Sequence, residues 1–148
     1  MGPSLDPVNQ GHPSTSGLIE AIYQGNMETT RGAARSGGKE VTSTISHDRF
    51  LYVDVQDTAR LHAAAPLRPR MENERIFAYA APYTWRDIQT TLAKLYPDRI
   101  FAPQMEASRL DRSDIELPAK AEDWLKEMGR TRWTSLEDSG LANTRDLA

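Results

Sequence analysis

The chain has 148 residues, of which 39% are apolar, and a formal net charge of -3; one domain with a modest core is the default at that length. The acidic balance gives no general attraction to a phosphate backbone, and no basic run interleaves with aromatics, so nucleic-acid binding finds no support. The absence of cysteine excludes a disulfide framework, a thiolate metal site and a thiol nucleophile.

Residues 1–11 are rich in Pro, Gly, Asn and Asp and read as an irregular loop. Met1-Gly-Pro-Ser-Leu-Asp-Pro has neither the basic flank nor the apolar core of a secretory signal. No apolar run approaches the ~18 residues that span a bilayer, so a cytoplasmic protein without membrane contact is expected. Ser14-Thr-Ser16 offers hydroxyl caps for a short helix that places Leu18, Ile19, Ile22 and Tyr23 on one face and stops at Gly25. From Asn26 to Arg49 the residues are polar and small, without a period of two or 3.6, which reads as a flexible polar loop; Val41–Ile45 is at most a short strand.

Phe50-Leu-Tyr-Val-Asp-Val55 is aromatic and β-branched and reads as a strand. A helix follows, capped by Asp54 or Asp57, with Val55, Ala59, His62 and Ala63 along one side and Pro66 and Pro69 preventing its continuation. Arg75–Ala80 reads as a second strand, ended by Pro82. Thr84-Trp-Arg-Asp87 forms a capping box ahead of an amphipathic helix with Trp85, Ile88, Leu92 and Leu95 inward, terminated at Tyr96-Pro97. After a loop over 101–112, Pro118 opens a helix with Ala121, Trp124, Leu125 and Met128 inward and a Glu122–Lys126 surface pair; Gly129 follows its end. Thr134-Ser-Leu-Glu137 is a further capping box before a last helix interrupted by Gly140. Alternating strand and helix point to α/β pairing. Two short strands make a marginal sheet, so part of the fold is expected to be missing or supplied from elsewhere.

Val53-Asp-Val-Gln-Asp-Thr-Ala-Arg-Leu-His62 resembles the valine–Asp–valine–x–Asp–[Val/Thr]–Ala–x–x–His block of the extended short-chain dehydrogenases/reductases. Within that family of NAD-dependent epimerases/dehydratases it is most similar to the branch with dihydroflavonol reductases, cinnamoyl-CoA reductases and yeast-type aldehyde or ketone reductases. Asn73–Ala80, Thr84–Ile88 and Ala121–Leu136 resemble the elements that follow there, and Met1-Gly-Pro3 resembles the end of the family's Phe-Val-x-Gly-Pro strand.

The resemblance implies an incomplete, helix-rich C-terminal part of an NAD(P)-binding Rossmann-like enzyme, with two or three short strands and without the N-terminal Rossmann half. Met1 would fall inside a sheet strand, so an upstream start or a truncated reading frame is expected. The implied organisation is a loop and short helix beside the substrate pocket over 1–25, a flexible loop over 26–49, and a substrate-side α/β region over 50–148. Pro3, Ser4, Leu5 and Ser16 match positions that line the family's substrate pocket.

The catalytic half of such an enzyme has no counterpart in the sequence. There is no Gly-x-x-Gly-x-x-Gly turn to receive a pyrophosphate, and no tyrosine (Tyr23, Tyr52, Tyr79, Tyr83, Tyr96) has a lysine four positions on. No catalytic, cofactor or metal residue is therefore assigned, and NAD(P) is implied for the full-length family alone. The expectation is a fragment of an oxidoreductase acting on a small carbonyl substrate and inactive by itself. The alternatives are a non-catalytic interaction protein that binds a homologous subunit or another partner, or a truncated gene product.

Other chemistry weighs less. His12 and His47 read as solvated loop residues, and His62 as packing or a structural hydrogen bond. Asp54 and Asp57 read as caps, and Trp85 and Trp124 as core. Asp111–Glu116 lacks the glycine turn and distal Glu of a calcium loop and reads as a solvated charge run.

Overall fold

Residues 1–26, 50–103 and 118–148 are described by the computed structural model. The expected strand at 41–45, His47, the Asp111–Glu116 run and most of the two expected long loops lie outside the described residues.

The chain begins with one turn of helix where a loop was expected. In α1 (Pro7–Gln10), the Asp6 carboxylate accepts from the Asn9 backbone (3.1 Å) and amide side chain (2.7 Å), and Pro7 occupies the first turn. Next, α2 (Thr15–Gln24) buries Ile19, Ile22 and Tyr23 and ends at Gly25, as the spacing predicts.

Among the described residues the sheet has two antiparallel strands, β1 (Phe50–Tyr52) and β2 (Ala81–Tyr83). The second lies beyond the expected span of 75–80, and Pro82 is its middle residue rather than its terminator. Pro82 stands opposite Leu51, with Tyr83 opposite Phe50 and Ala81 opposite Tyr52. Alternate residues of an antiparallel ladder turn their polar groups away from the partner strand, so a missing N–H costs nothing at such a position. β1 is shorter than its β-rich run because Asp54 ends it by capping the next helix. Beyond that point its place in the ladder is taken up by Met1: the Met1 ammonium donates to the Val53 carbonyl (3.0 Å) and the Val55 N–H to the Met1 carbonyl (2.7 Å). Those two bonds have the pattern of a parallel pair, formed over residues 53–55 just past the end of β1.

The helix after β1, α3 (Val55–Leu67), retains Pro66 in its last turn and is followed by a 3₁₀ turn at Pro69–Met71. Its inward face corrects the sequence reading. Asp57, Leu61 and Ala64 are buried, whereas Val55 is 49% exposed and Ala59, His62 and Ala63 are also exposed. Alanines on several sides leave the apolar period ill-defined, and the face is set by what Asp57 must reach. His62 makes the expected structural hydrogen bond, Nδ1 to the Thr58 carbonyl at 2.9 Å, without packing.

α4 (Trp85–Leu95) has the predicted capping box and buries Trp85, Ile88 and Leu92. Gln89 shares that face, donating to the carbonyls of Ala102 (2.8 Å) and Pro103 (3.3 Å). α5 (Pro118–Glu127) buries Ala121, Trp124 and Leu125, as predicted. α6 (Leu136–Thr144) starts one residue later than expected: Ser135 is its cap, accepting from Asp138 N–H at 3.0 Å. Gly140 does not interrupt it. An added Cβ there would sit 3.7 Å from Thr91 Cγ2, which marks the close crossing of α4 and α6.

Two apolar cores flank β1. The first gathers Ile19, Ile22, Tyr23, Tyr52, Tyr83, Trp85, Ile88 and Leu92 from α2, the sheet and α4. The second gathers Leu61, Ala64, Met71, Ala121, Trp124, Leu125 and Trp133 from α3, α5 and the turn before α6. Tyr52 belongs to the first, its neighbour Val53 packs on the second, and Ala80 touches both. The result is helix-rich with a two-stranded sheet, compatible with an incomplete α/β unit.

Burial pushes the Tyr83 phenol up to about 12 from an ordinary value of about 10. Between these values the unfolded chain has lost a proton that the folded chain keeps, so stability falls as pH rises. It is complete below pH about 10 and declines by about 2–3 kcal/mol on the way to pH about 12. Tyr52 is raised as well, first by burial and then by Asp57 and Asp54, and adds a loss of the same sign. Urea unfolding at pH about 9 and about 11 is expected to show a lower midpoint at the higher pH, with a shallower difference in Tyr83→Phe.

Candidate functional site

The four residues matched to a substrate pocket lie at the start of the chain, around α1 and the N-terminus of α2. Pro3, Ser4 and Ser16 are half-buried and Leu5 is 90% exposed. Both hydroxyls have structural partners: Ser4 Oγ donates to the Gly11 carbonyl (2.9 Å), and Ser16 Oγ to Asn143 Oδ1 (2.5 Å). Asn143 Nδ2 returns a bond to the Ser16 carbonyl at 3.3 Å. No hydrogen bond joins Ser4 to Ser16 among the described residues; what they share is the turn between α1 and α2.

That turn holds a residue the sequence reading misplaced. His12 is not solvated: its side chain is 4% exposed, and Nε2 lies 2.9 Å from Asp146 Oδ2. An ionised carboxylate only accepts, so Nε2 carries the proton and the ring is fixed in orientation. Asp146 is 134 residues away in the chain, which is why no local spacing announces the pair.

The chain start is anchored at the β1–α3 junction. Gly2 is buried there, and a Cβ on it would come within 2.8 Å of Asp54 Oδ2 and 2.9 Å of Val55 Cγ1. Only glycine permits that approach. Burial lowers the pKa of the Met1 ammonium, with Asp54 acting in the opposite direction.

Of the two cap candidates, Asp54 is the cap, and Asp57 lies in the first turn with its carboxylate turned to another segment. Asp54 accepts from Gln56 N–H (2.8 Å) and, 85 residues on, from Ser139 Oγ (2.7 Å). Asp57 accepts from Thr134 N–H at 2.7 Å, while Arg60 Nη1 and Arg130 Nε stand 3.5 Å from its other oxygen. Tyr52 Oη adds a bond to the Thr134 carbonyl at 3.2 Å. The two aspartates thus fasten the strand-to-helix junction to α6 itself, at Ser139, and to the segment leading into it, at Thr134.

A dinucleotide does not fit these junctions. A pyrophosphate needs a helix N-terminus with open N–H groups and no competing anion. At β1–α3 the place is filled by two buried carboxylates, and at β2–α4 by Asp87, which holds Thr84 N–H at 2.8 Å. No cluster of three or more His, Asp or Glu suited to a metal occurs among the described residues. A cleft of about 380 Å³ lined by Tyr23, Leu95, Tyr96, Pro97, Asp98 and Arg99 includes none of the candidate residues. Its arginine is already engaged, donating from Nε to the Tyr23 carbonyl (2.9 Å) and stacking 4.0 Å over the Tyr23 ring. No helix among the described residues is long and apolar enough to cross a membrane.

Known proteins share this sequence in part. The chain is 44% identical over 98 residues to the ketoreductase adrE of Penicillium roqueforti, covering 62% of this chain and 29% of that protein. It is 33% identical over 89 residues to the ketoreductase nvfG of Aspergillus novofumigatus, covering 60% of this chain and 26% of that protein. It is 31% identical over 139 residues to aldehyde reductase 2 of Sporidiobolus salmonicolor, covering 94% of this chain and 36% of that protein. It is similar to one stretch of reductases. The chain spans about a third or less of the length of these relatives (26–36%). No protein-family model matches it.

Proposed function

We propose that this chain is the substrate-side portion of an NAD(P)-dependent aldehyde or ketone reductase of the extended short-chain type, and that it transfers no hydride alone. The observation that carries this reading is the similarity to ketoreductases and an aldehyde reductase over 26–36% of their length. The carboxylate-filled strand-to-helix junctions and the absence of a Tyr-x-x-x-Lys pair agree with a portion that carries no cofactor. In this reading Pro3, Ser4, Leu5 and Ser16 form part of the wall facing a small carbonyl compound, and the nucleotide and the proton donor come from the portion this chain lacks.

A chimera tests the reading. The stretch of the Sporidiobolus salmonicolor aldehyde reductase 2 that corresponds to this chain, 94% of which is aligned with it, is replaced by residues 1–148. Carbonyl-dependent oxidation of NADPH by the chimera is expected, with a substrate preference different from the parent's. The isolated chain is expected to give no saturable NADPH binding in a fluorescence titration. Tight binding by the isolated chain, or a folded chimera that binds NADPH without any carbonyl turnover, would count against it.

The second reading, a non-catalytic protein that pairs with a homologous subunit, is favoured by the edge of β1. Met1 bonds the chain just past the end of β1, and Phe50 and Leu51 of β1 are 38% and 44% exposed. An apolar strand edge invites association. A stable complex with a homologous reductase subunit in sedimentation, together with an inactive chimera, would support it.

A further inference from the structure

The turn between α1 and α2 is held in a conformation its own residues do not prefer. Ser14 has φ 56° and ψ -130°, a region open to glycine and costly for any residue with a Cβ, and its side chain makes no capping bond. Gly17 lies so close to the preceding loop that a Cβ would stand 2.4 Å from the His12 carbonyl oxygen. Such strain persists only where the surroundings over-determine the backbone.

The surroundings here come from the other end of the chain. α6 grips Ser16 through Asn143, and that contact is fully buried on the α6 side. Past the end of α6, Leu147 packs on the first core, and Asp146 reaches the buried His12 ring at 2.9 Å. Asp146 differs from Asn143 in being 32% exposed and outside the helix, so it can let go without disturbing α6.

We propose that Asp146, acting on His12, is a strap that holds the α1–α2 turn in its strained shape. When the strap releases, Ser14 relaxes to negative φ and the α2 entry loosens, while Asn143 keeps the helix docked. The strap is a positioning device, since neither residue is placed against substrate. Its bearing on substrate rests on the reading above, because Ser4 and Ser16 border this turn. The conformational claim does not.

A double-mutant cycle in the full chain tests it, with Ser14→Gly removing the strain and Asp146→Ala removing the strap. Ser14→Gly alone is expected to raise the folding equilibrium constant about fivefold, read from urea unfolding. In the Asp146→Ala background the same change is expected to gain less than about twofold, because the strain is already relieved. Backbone amides over 11–17 are expected to exchange about tenfold faster in Asp146→Ala, with those of α4 unchanged. Asp146→Asn, which keeps an acceptor, is expected to restore part of that protection. Additive effects of the two changes, or unaltered exchange in the turn, would overturn the strap. In the active chimera, Asp146→Ala is expected to raise KM about tenfold at nearly constant kcat. Coupling and exchange as expected with no change in KM would keep the strap and remove its bearing on substrate.

Discussion

Asp57→Ala is expected to cost about 3 kcal/mol of unfolding free energy. Asp57 is fully buried, and its two oxygens face the Thr134 N–H and the Arg60 and Arg130 guanidinium groups. Removing the carboxylate leaves a backbone donor without its acceptor and two positive charges without their counter-charge. The arginine side chains are 34% and 36% exposed, so water compensates part of the second loss and keeps the total below that of a wholly enclosed ion pair. Asp57→Asn, which can still accept from Thr134, is expected to cost about half as much. Urea melts followed by far-UV circular dichroism give both values. A cost below about 1 kcal/mol for the alanine variant would show that the Thr134 segment docks without this carboxylate.

Trp124→Ala is expected to cost about 4 kcal/mol. Trp124 is 7% exposed and fills the second core beside Leu61, Leu125 and Trp133. Arg70 stands 5.3 Å over its ring and is itself paired with Glu127 at 3.0 Å. That arginine is 75% exposed, so Arg70→Ala is expected to cost under about 1 kcal/mol. Trp124→Phe is expected to recover more than half of the alanine loss. The indole N–H is buried without a hydrogen bond among the described residues, so phenylalanine gives up area but no polar partner. Denaturant titration of the three variants orders them. Equal losses for phenylalanine and alanine would mean that ring volume at this position is not what the second core needs.

The elements most legible in the sequence are those whose signals are local. The Thr84–Asp87 box and the stripes Trp85–Ile88–Leu92 and Ala121–Trp124–Leu125 each carry start signal and apolar period within a few residues; all are found, while the expected last members, Leu95 and Met128, are only half-buried. The second strand moved because proline is read as a terminator unless the ladder register is known, and the register belongs to the pair of strands. The face of α3 was misread because its orientation is set by Thr134, 77 residues away from Asp57. At the chain start the sequence shows only local features: Ser4 bonds to Gly11 in the turn that precedes Ser16, but the His12–Asp146 pair beside them joins opposite ends of the chain. No composition or spacing rule connects residues so far apart.

α6 presents almost no apolar stripe, yet it is deeply buried. Ser139, Asn143 and Thr144 are all inaccessible to solvent and reach Asp54, Ser16 and Tyr96 respectively. Apolar contacts tolerate rotation or sliding because any nearby hydrocarbon can serve, whereas a hydrogen bond in a dry interior accepts one geometry and penalises its neighbours. A turn of α6 by one residue would strand three polar groups at once and expose Gly140 to a side-chain-sized gap. The helix therefore acts as a key, whose cuts admit a single position between α2, α4 and the β1–α3 junction. Replacing Ser139 with alanine would leave the buried Asp54 carboxylate short of a donor, so loss of this register is expected together with a lower unfolding midpoint.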